Sequence, residues 1–194
     1  MIFVIDTSSS IAALATIDGD RHTELLLPAR SPELHPALRR IARSGRVTKV
    51  AVATGPGSFT GLRVGVAFGL GLAMGLGVPI VPLGTLRLQA ARSEEPVTAI
   101  VEAGRGRYYY LAPDGKPALG APAGIPSDRK LVGNVSNPAP LLAAGHLFKP
   151  ESELRSFVDA AQKLIETASE VPYRSLEIEY MQSFSVATKS EPSA

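Results

Sequence analysis

The sequence predicts an α/β fold in two lobes, with strands and helices mixed in each. Three observations carry this. Short apolar runs of strand length, such as "MIFVID" and "KVAVAT", alternate with helical stretches. The 194 residues, 45% hydrophobic and 20% charged, suffice for an ordinary globular core. The pattern restarts after Glu94-Glu95-Pro96, which divides the chain into a first lobe over 1–93 and a smaller second lobe over 94–194.

In chain order, "MIFVID" reads as a buried strand and "IAALATIDGD" as a second, with "DTSSS" as the polar turn between them. Asp18-Gly19-Asp20 is a further turn, so the start reads as an antiparallel meander. "HTELLL" is helix-like and stops near Pro28. Ser31 as N-cap and Pro32 at the first helical position open a helix that Pro36 makes irregular or late. "KVAVAT" is a short buried strand. A helix over Phe59–Leu76 and a strand over Val78–Pro82 follow, then a helix at "TLRLQAAR". In the second lobe, "VTAIVEA" and "RYYYLAP" form a hairpin around Gly104-Arg105-Gly106. The alternation of Tyr108 to Tyr110 turns at least one ring to solvent or a partner. "LLAAGHLF" is a short helix. "ESELRSFVDAAQKLIETAS" is an amphipathic helix with Leu154, Phe157, Val158, Ala161, Leu164 and Ile165 on one side. The polar tail after Met181 reads as frayed.

The composition excludes several function classes. There is no Cys, hence no disulfide scaffold, thiol nucleophile or Cys-zinc site. The net charge of +2 is too small to argue for autonomous nucleic-acid binding. The start lacks the basic flank of a secretory leader, so a cytoplasmic location is expected. The uncharged run Val64–Leu86 is long enough for a bilayer, but its glycines and Pro79 and Pro82 divide it into a helix and a strand, so no membrane span is expected.

The candidate chemistry centres on "TGPGSFTGLRVGVAFGLGLAMGLG", from Thr54 to Gly77. Gly57 and Gly61 enclose three residues, where a phosphate-binding P-loop needs four followed by Lys. A nucleophile elbow fails too, because Gly57 directly precedes Ser58. Ser58 is expected as an N-cap after a strand-to-helix turn, with weak anion binding left open by the helix N-terminus. Asp6 ends the first strand beside Thr7, Ser8 and Ser9; it either caps its own turn or holds a magnesium-bound phosphate. His22, His35 and His146 show no metal-ligand spacing, so no metal site is expected. Arg39, Arg40 and Arg43, with Arg46 and Lys49, form a basic patch that reads as a solvated helix face, with a tRNA-binding module as the other reading.

The glycine helix is the strongest physical signal. Gly61, Gly65 and Gly69 make a small-residue stripe, Leu62, Val66, Leu70 and Ala73 an apolar stripe beside it, and Phe68, Leu72 and Leu76 cover another side. Its five internal glycines, with Gly71 and Gly75, cost about 1 kcal/mol each relative to Ala, which only dense packing offsets. A sheet covers one side of such a helix; the other is expected to meet a second protein chain.

These residues carry a family likeness. "VIDTSSSIAALATI", "HTELLLP", "GPGSFTGLRVGVAFGLGLA" and "VPIVPLGTL" resemble the TsaB (YeaZ) family over about residues 2–90, and "AIVEAGRGRYYYLA" is similar to the family's second-lobe hairpin. The resemblance implies a two-lobed actin-like ATPase (ASKHA, ribonuclease H-like) fold with a shortened second lobe. It implies a non-catalytic scaffold or activating subunit of the machinery that makes threonylcarbamoyladenosine beside the anticodon of ANN-decoding tRNAs. The implied partners are a TsaD-like catalytic subunit and a TsaE-like ATPase, with a homodimer when the chain is alone and tRNA met only through the complex. No cofactor is implied for the chain itself; ATP or ADP is expected only at a joint interface. The pairing helices match "HTELLLP" and the glycine helix, so Leu25 and Leu26 join Gly61, Leu62, Gly65, Val66, Phe68, Gly69, Leu72 and Ala73 as expected interface residues. The catalytic relative bears a His-x-x-x-His metal pair; this chain has His22 but Leu26. Pro32 and Pro36 interrupt a stretch that is usually one long helix in the family, and Glu102 stands where Asp is frequent. The rival reading is a small actin-like ATPase or phosphotransferase, with Asp6, Thr7, Ser8, Gly57 and Ser58 as its anion or nucleotide remnant. A peptidase is not supported: there is no His-Glu-x-x-His, no Cys and no elbow.

Overall fold

In a computed structural model, which describes residues 1–44 and 46–181, the chain builds two sheets. The first contains β1 (Ile2–Asp6), β2 (Ile11–Asp18), β3 (Arg21–Pro28), β4 (Lys49–Gly55) and β5 (Ile80–Gly84), in the order β3-β2-β1-β4-β5. β1, β2 and β3 form an antiparallel meander, while β1, β4 and β5 run parallel. Parallel neighbours need crossovers, and the helices α1 (Leu34–Ala42) and α2 (Phe59–Leu76) supply them. Alternation along β1 sends Phe3 and Ile5 to a core shared with α1 and α2. It sends Val4 to the opposite core.

The segment "HTELLLP" is not a helix: it is the edge strand β3. The register pairs Asp18 with Arg21 across Gly19-Asp20, and Gly19 takes a φ of +60°. That tight turn returns the chain alongside β2, which pairs the inner side of the β3 backbone through Pro28. Leu25 and Leu27 then face the α1–α2 core. Leu26 faces the other way and is exposed. The following helix, α1, starts at Leu34, not at Ser31. The Ser31 hydroxyl instead accepts from the Glu33 N–H in a local turn. Pro36 lies in the first helical turn, where no intrahelical bond is lost.

α2 occupies the expected span. Ser58 caps its start, accepting from the Gly61 N–H. Gly77 ends it at φ +67°, and the Val78 N–H bonds back to the Ala73 carbonyl at 3.0 Å. Val78 and Pro79 thus belong to the helix cap, and β5 begins two residues later than expected. The Tyr173 hydroxyl lies 2.8 Å from the Val78 carbonyl and 3.2 Å from that of Ala73.

α3 (Thr85–Ala90) leads to the second sheet, β8-β7-β6-β9, from β6 (Thr98–Gly104), β7 (Arg107–Leu111), β8 (Ala118–Gly120) and β9 (Leu131–Val132). Tyr108 and Tyr110 pack on one side of β7. Tyr109 packs on the other. A short α4 (Ala139–Ala143) follows. The long amphipathic helix expected from Glu151 is shorter: a 3₁₀ turn over Glu151–Glu153, an extended Leu154, then α5 (Phe157–Ile165). Ser156 sets this start, its hydroxyl accepting from the Asp159 N–H. Residues from Phe157 onward, read from sequence as second lobe, return to the first sheet: Phe157, Val158, Ala160 and Ala161 pack on Val4, Ala51 and Val81. The return is pinched at one point. The Arg155 N–H donates to the Arg92 carbonyl at 2.7 Å, and Arg92 Nε donates to the Arg155 carbonyl at 3.3 Å. The polar tail beyond Met181 lies outside the described residues.

Candidate functional site

The glycine stripe of α2 faces inward. A Cβ on Gly61 would collide with the Thr7 carbonyl, and one on Gly65 with Thr7 Oγ1. At Gly69 it would touch Val50 at 3.4 Å and Val52 at 3.5 Å. These glycines let α2 lie directly on β1 and β4, and Thr7 Oγ1 donates to the Gly61 carbonyl at 2.6 Å. Leu62, Gly65, Val66, Gly69 and Ala73 are buried in the chain's own core. The structure therefore removes these five, with Gly61, from the exposed surface. Close backbone approach explains the glycines, as expected; the neighbour is the sheet of the same chain.

The outward face is a second stripe. Ala67, Gly71 and Gly75 follow at helical spacing, all exposed. A Cβ at Gly71 or Gly75 would meet nothing within 4 Å. Phe68 and Leu72 are half-buried beside them, and Met74 and Leu76 are 57% and 45% exposed. Arg39, Ala42 and Arg43 of α1 face Ala67, Phe68, Gly71 and Leu72 across a groove of about 380 Å³. Only five of the 18 helical residues are buried, so an apolar helix is left with an apolar outer side. Of the expected interface residues, Phe68 and Leu72 reach this face; Leu26 is exposed on β3 and Leu25 packs on the inner core. α2 is long and apolar enough to cross a membrane, but its glycine face is seated on β1 and β4 within an α/β layer.

The start of α2 opens on a cleft of about 650 Å³ between the lobes. Gly57 and Ser58 line it, opposite Glu102, Tyr108, Tyr109, Ser136 and Tyr180. The Glu102 carboxylate accepts from the Ser136 N–H and hydroxyl, each at 2.7 Å, and so ties the 136–137 loop to β6. Burial pushes both the Tyr108 and Tyr109 phenols up. Arg63 stacks on Phe59 at 3.8 Å and donates to the Tyr180 hydroxyl at 3.2 Å.

Asp6 does not line this cleft. It is 2% exposed, accepts from the Ser8 N–H at 2.8 Å, and faces a separate cavity with Gln89 and Arg92. Burial pushes its carboxyl above the ordinary carboxylate range, against the pull of its hydrogen bonds from Ser8. Thr7 and Ser8 are buried between the two spaces, and the Ser58 N–H bonds to the Ser8 carbonyl. The two halves of the phosphotransfer reading, Asp6 and the Gly57-Ser58 turn, thus face different cavities. Among the described residues no group of three or more His, Cys, Asp or Glu comes together. His22 Nδ1 lies 3.2 Å from Asp159 Oδ1, and His146 Nε2 lies 2.8 Å from the Pro122 carbonyl. Arg39 and Arg40 on α1, and Arg43 at its C-cap, are exposed.

Known proteins place this arrangement. TsaB of Haemophilus influenzae, named a tRNA threonylcarbamoyladenosine biosynthesis protein, is 30% identical over 122 residues, 56% of this chain and 52% of that one. The Bacillus subtilis protein of the same name is 30% identical over 120 residues, 56% of this chain and 52% of its own. A solved structure of YeaZ from Pseudomonas aeruginosa superposes with a TM-score of 0.68 at 19% identity, covering 93% of this chain and 99% of that one. The family model described as TsaD, tRNA N6-adenosine threonylcarbamoyltransferase, matches residues 20–119, half of the chain. The chain belongs to the TsaB (YeaZ) family.

Its fold is the two-lobed, actin-like α/β fold of that TsaB family. The chain spans about half the length of the curated TsaB relatives it matches. Sequence reasoning missed the outward Ala67-Gly71-Gly75 stripe of this TsaB-family chain, and the Gln89–Arg92 lining of the Asp6 cavity. Both left a signal. The first repeats every four residues in parallel with the inner glycines, and Gln89 on α3 is followed three residues later by Arg92, just past the helix end.

Proposed function

We propose that this chain is a non-catalytic scaffold subunit in tRNA threonylcarbamoyladenosine formation, and that it docks a TsaD-like catalytic subunit through the outer face of α2. One observation carries the docking surface: a small-residue stripe, Ala67-Gly71-Gly75, open on its outer side and flanked by Phe68, Leu72 and Met74. Such a stripe admits a second helix at close backbone distance, and its apolar flanks gain about 25 cal/mol per Å² when covered. The family and the names of its relatives support the pathway.

The same face serves a homodimer when the chain is alone, and Arg39 and Arg43 rim it with positive charge. A TsaE-like ATPase joins the pair, and tRNA is met through the assembled complex. The Gly57-Ser58 loop lacks the lysine and spacing of a phosphate loop, so this chain holds no cofactor firmly by itself, and a joint surface with the partners is the only place for ATP or ADP. The work is cytoplasmic, where the tRNA is.

Light-scattering mass, for the chain alone and mixed with a TsaD-like subunit, tests this reading. The wild-type chain is expected to form a dimer alone and a heteromer in the mixture. Ala67→Glu and Gly71→Glu are expected to weaken both at least tenfold with circular dichroism unchanged. Normal assembly by both variants would remove α2 from the interface. A wild-type chain that never pairs with the TsaD-like subunit would remove the scaffold role.

A further inference from the structure

We propose that the small cavity beneath Asp6 is a binding site for a small primary ammonium ion carrying a short apolar chain. The cavity measures about 150 Å³ and lies on the side of the first sheet away from α2. One end is polar: Asp6 and Gln89 are each 2% exposed, and both line it. Gln89 Oε1 is buried without a hydrogen-bond partner. A buried amide oxygen without a donor is costly to keep, and Asp6, whose bonds come from Ser8, adds a buried carboxyl to the same lining. A ligand bearing several N–H donors and a positive charge supplies Gln89 with its donor and Asp6 with a counter-charge.

Charge sets the class of ligand. Arg92, 6% exposed, also reaches this cavity, but its guanidinium is already engaged: Nη2 donates to Glu151 Oε1 and Nε to the Arg155 carbonyl. Its charge is matched by Glu151. Asp6 has no cation of its own; its one bonded partner residue is Ser8. Burial correspondingly holds the carboxyl above its ordinary range. Shape sets the rest. The opposite walls are Ile11, Pro28 and Phe157, with the Leu26 side chain, 47% exposed, at the rim. A cavity of this size takes about six heavy atoms, which admits an ammonium head and a three- or four-carbon chain.

The test uses the full chain, with propylammonium chloride as probe and tetramethylammonium chloride, a cation with no N–H donor, as control. The thermal midpoint is expected to rise with propylammonium at roughly millimolar affinity, the range open to a ligand of four heavy atoms. It is expected to stay flat with tetramethylammonium at equal ionic strength. Asp6→Asn keeps the shape and the oxygen that accepts from Ser8, and is expected to weaken binding at least tenfold. Gln89→Met is expected to weaken it severalfold. Methyl resonances of Leu26 and Ile11 should shift with propylammonium in the wild type and not in Asp6→Asn. Equal responses to the two cations, undiminished binding by Asp6→Asn, or a flat midpoint up to about 100 mM propylammonium would each overturn the proposal and leave the cavity to water.

Discussion

Replacing Gly65 and Gly71 of α2 by alanine, one at a time, should change stability in opposite directions. Both sites gain about 1 kcal/mol of helix propensity on going from Gly to Ala. At Gly71 that is the whole effect on the folded chain, because the new methyl meets nothing within 4 Å. At Gly65 the methyl collides with Thr7 Oγ1 and lies 3.5 Å from Ile5 Cγ2. Thr7 must rotate, which breaks its 2.6 Å bond to the Gly61 carbonyl, or α2 must lift off β1. The lost bond costs about 1 kcal/mol and the overpacking about 1–3 kcal/mol. Gly65→Ala should therefore be about 1–3 kcal/mol less stable than the wild type, and Gly71→Ala about 1 kcal/mol more stable. Urea unfolding followed by far-ultraviolet circular dichroism reads both. With a slope of about 2 kcal/mol per molar, the two midpoints should separate by roughly 1–2 M. The measurement is repeated at two protein concentrations, since self-association through the outer face adds a concentration-dependent term. A Gly65→Ala variant as stable as the wild type would refute the seating of α2 on β1.

Three further outcomes follow from the geometry. Asp6 has a folded pKa raised by burial, so the stabilising contribution of its protonated form is complete below the ordinary carboxylate value and is lost as pH rises through the folded value. Asp6→Asn should accordingly melt higher than the wild type at neutral pH, with the gap closing on acidification toward about pH 4 in paired thermal scans. Tyr173→Phe removes the hydroxyl that reaches the Ala73 and Val78 carbonyls at the end of α2, and should cost about 1 kcal/mol in the same unfolding assay. Glu102→Ala frees the Ser136 N–H and hydroxyl, and amide exchange at Ser136 and Asn137 should accelerate by about tenfold while exchange in β4 does not change.

The span of α2, the β6–β7 hairpin and the two-lobed layering were legible because each has its own local signature: a Ser cap, a left-handed Gly end, Gly-Arg-Gly between strand patterns. β3 was not. "HTELLL" is short, and its three consecutive leucines fit either period; the pairing with β2 decided it. The start of α5 was hidden similarly, since Leu154 continues the apolar rhythm while Ser156 interrupts the backbone. At the site, glycine spacing announced close contact but not its partner. A glycine against a strand and a glycine against a second chain look identical in sequence. The parity of β1 would have separated Asp6 from Ser58, because Asp6 shares its side with Val4, whereas α2 packs on Phe3 and Ile5.

The pinched neck at Arg92 and Arg155 means that residues 93–154 leave and rejoin the first sheet at a single point. That excursion behaves as a cassette. Its length can change without altering the distance its ends must span, and loop-closure cost grows only slowly with length. Lobes of different size can therefore hang from the same frame while α2 keeps its outer face in place. An engineered chain in which a short turn joins Arg92 to Arg155 would retain β1 to β5, α1, α2 and α5, and with them the surface on which this protein is expected to meet its partner.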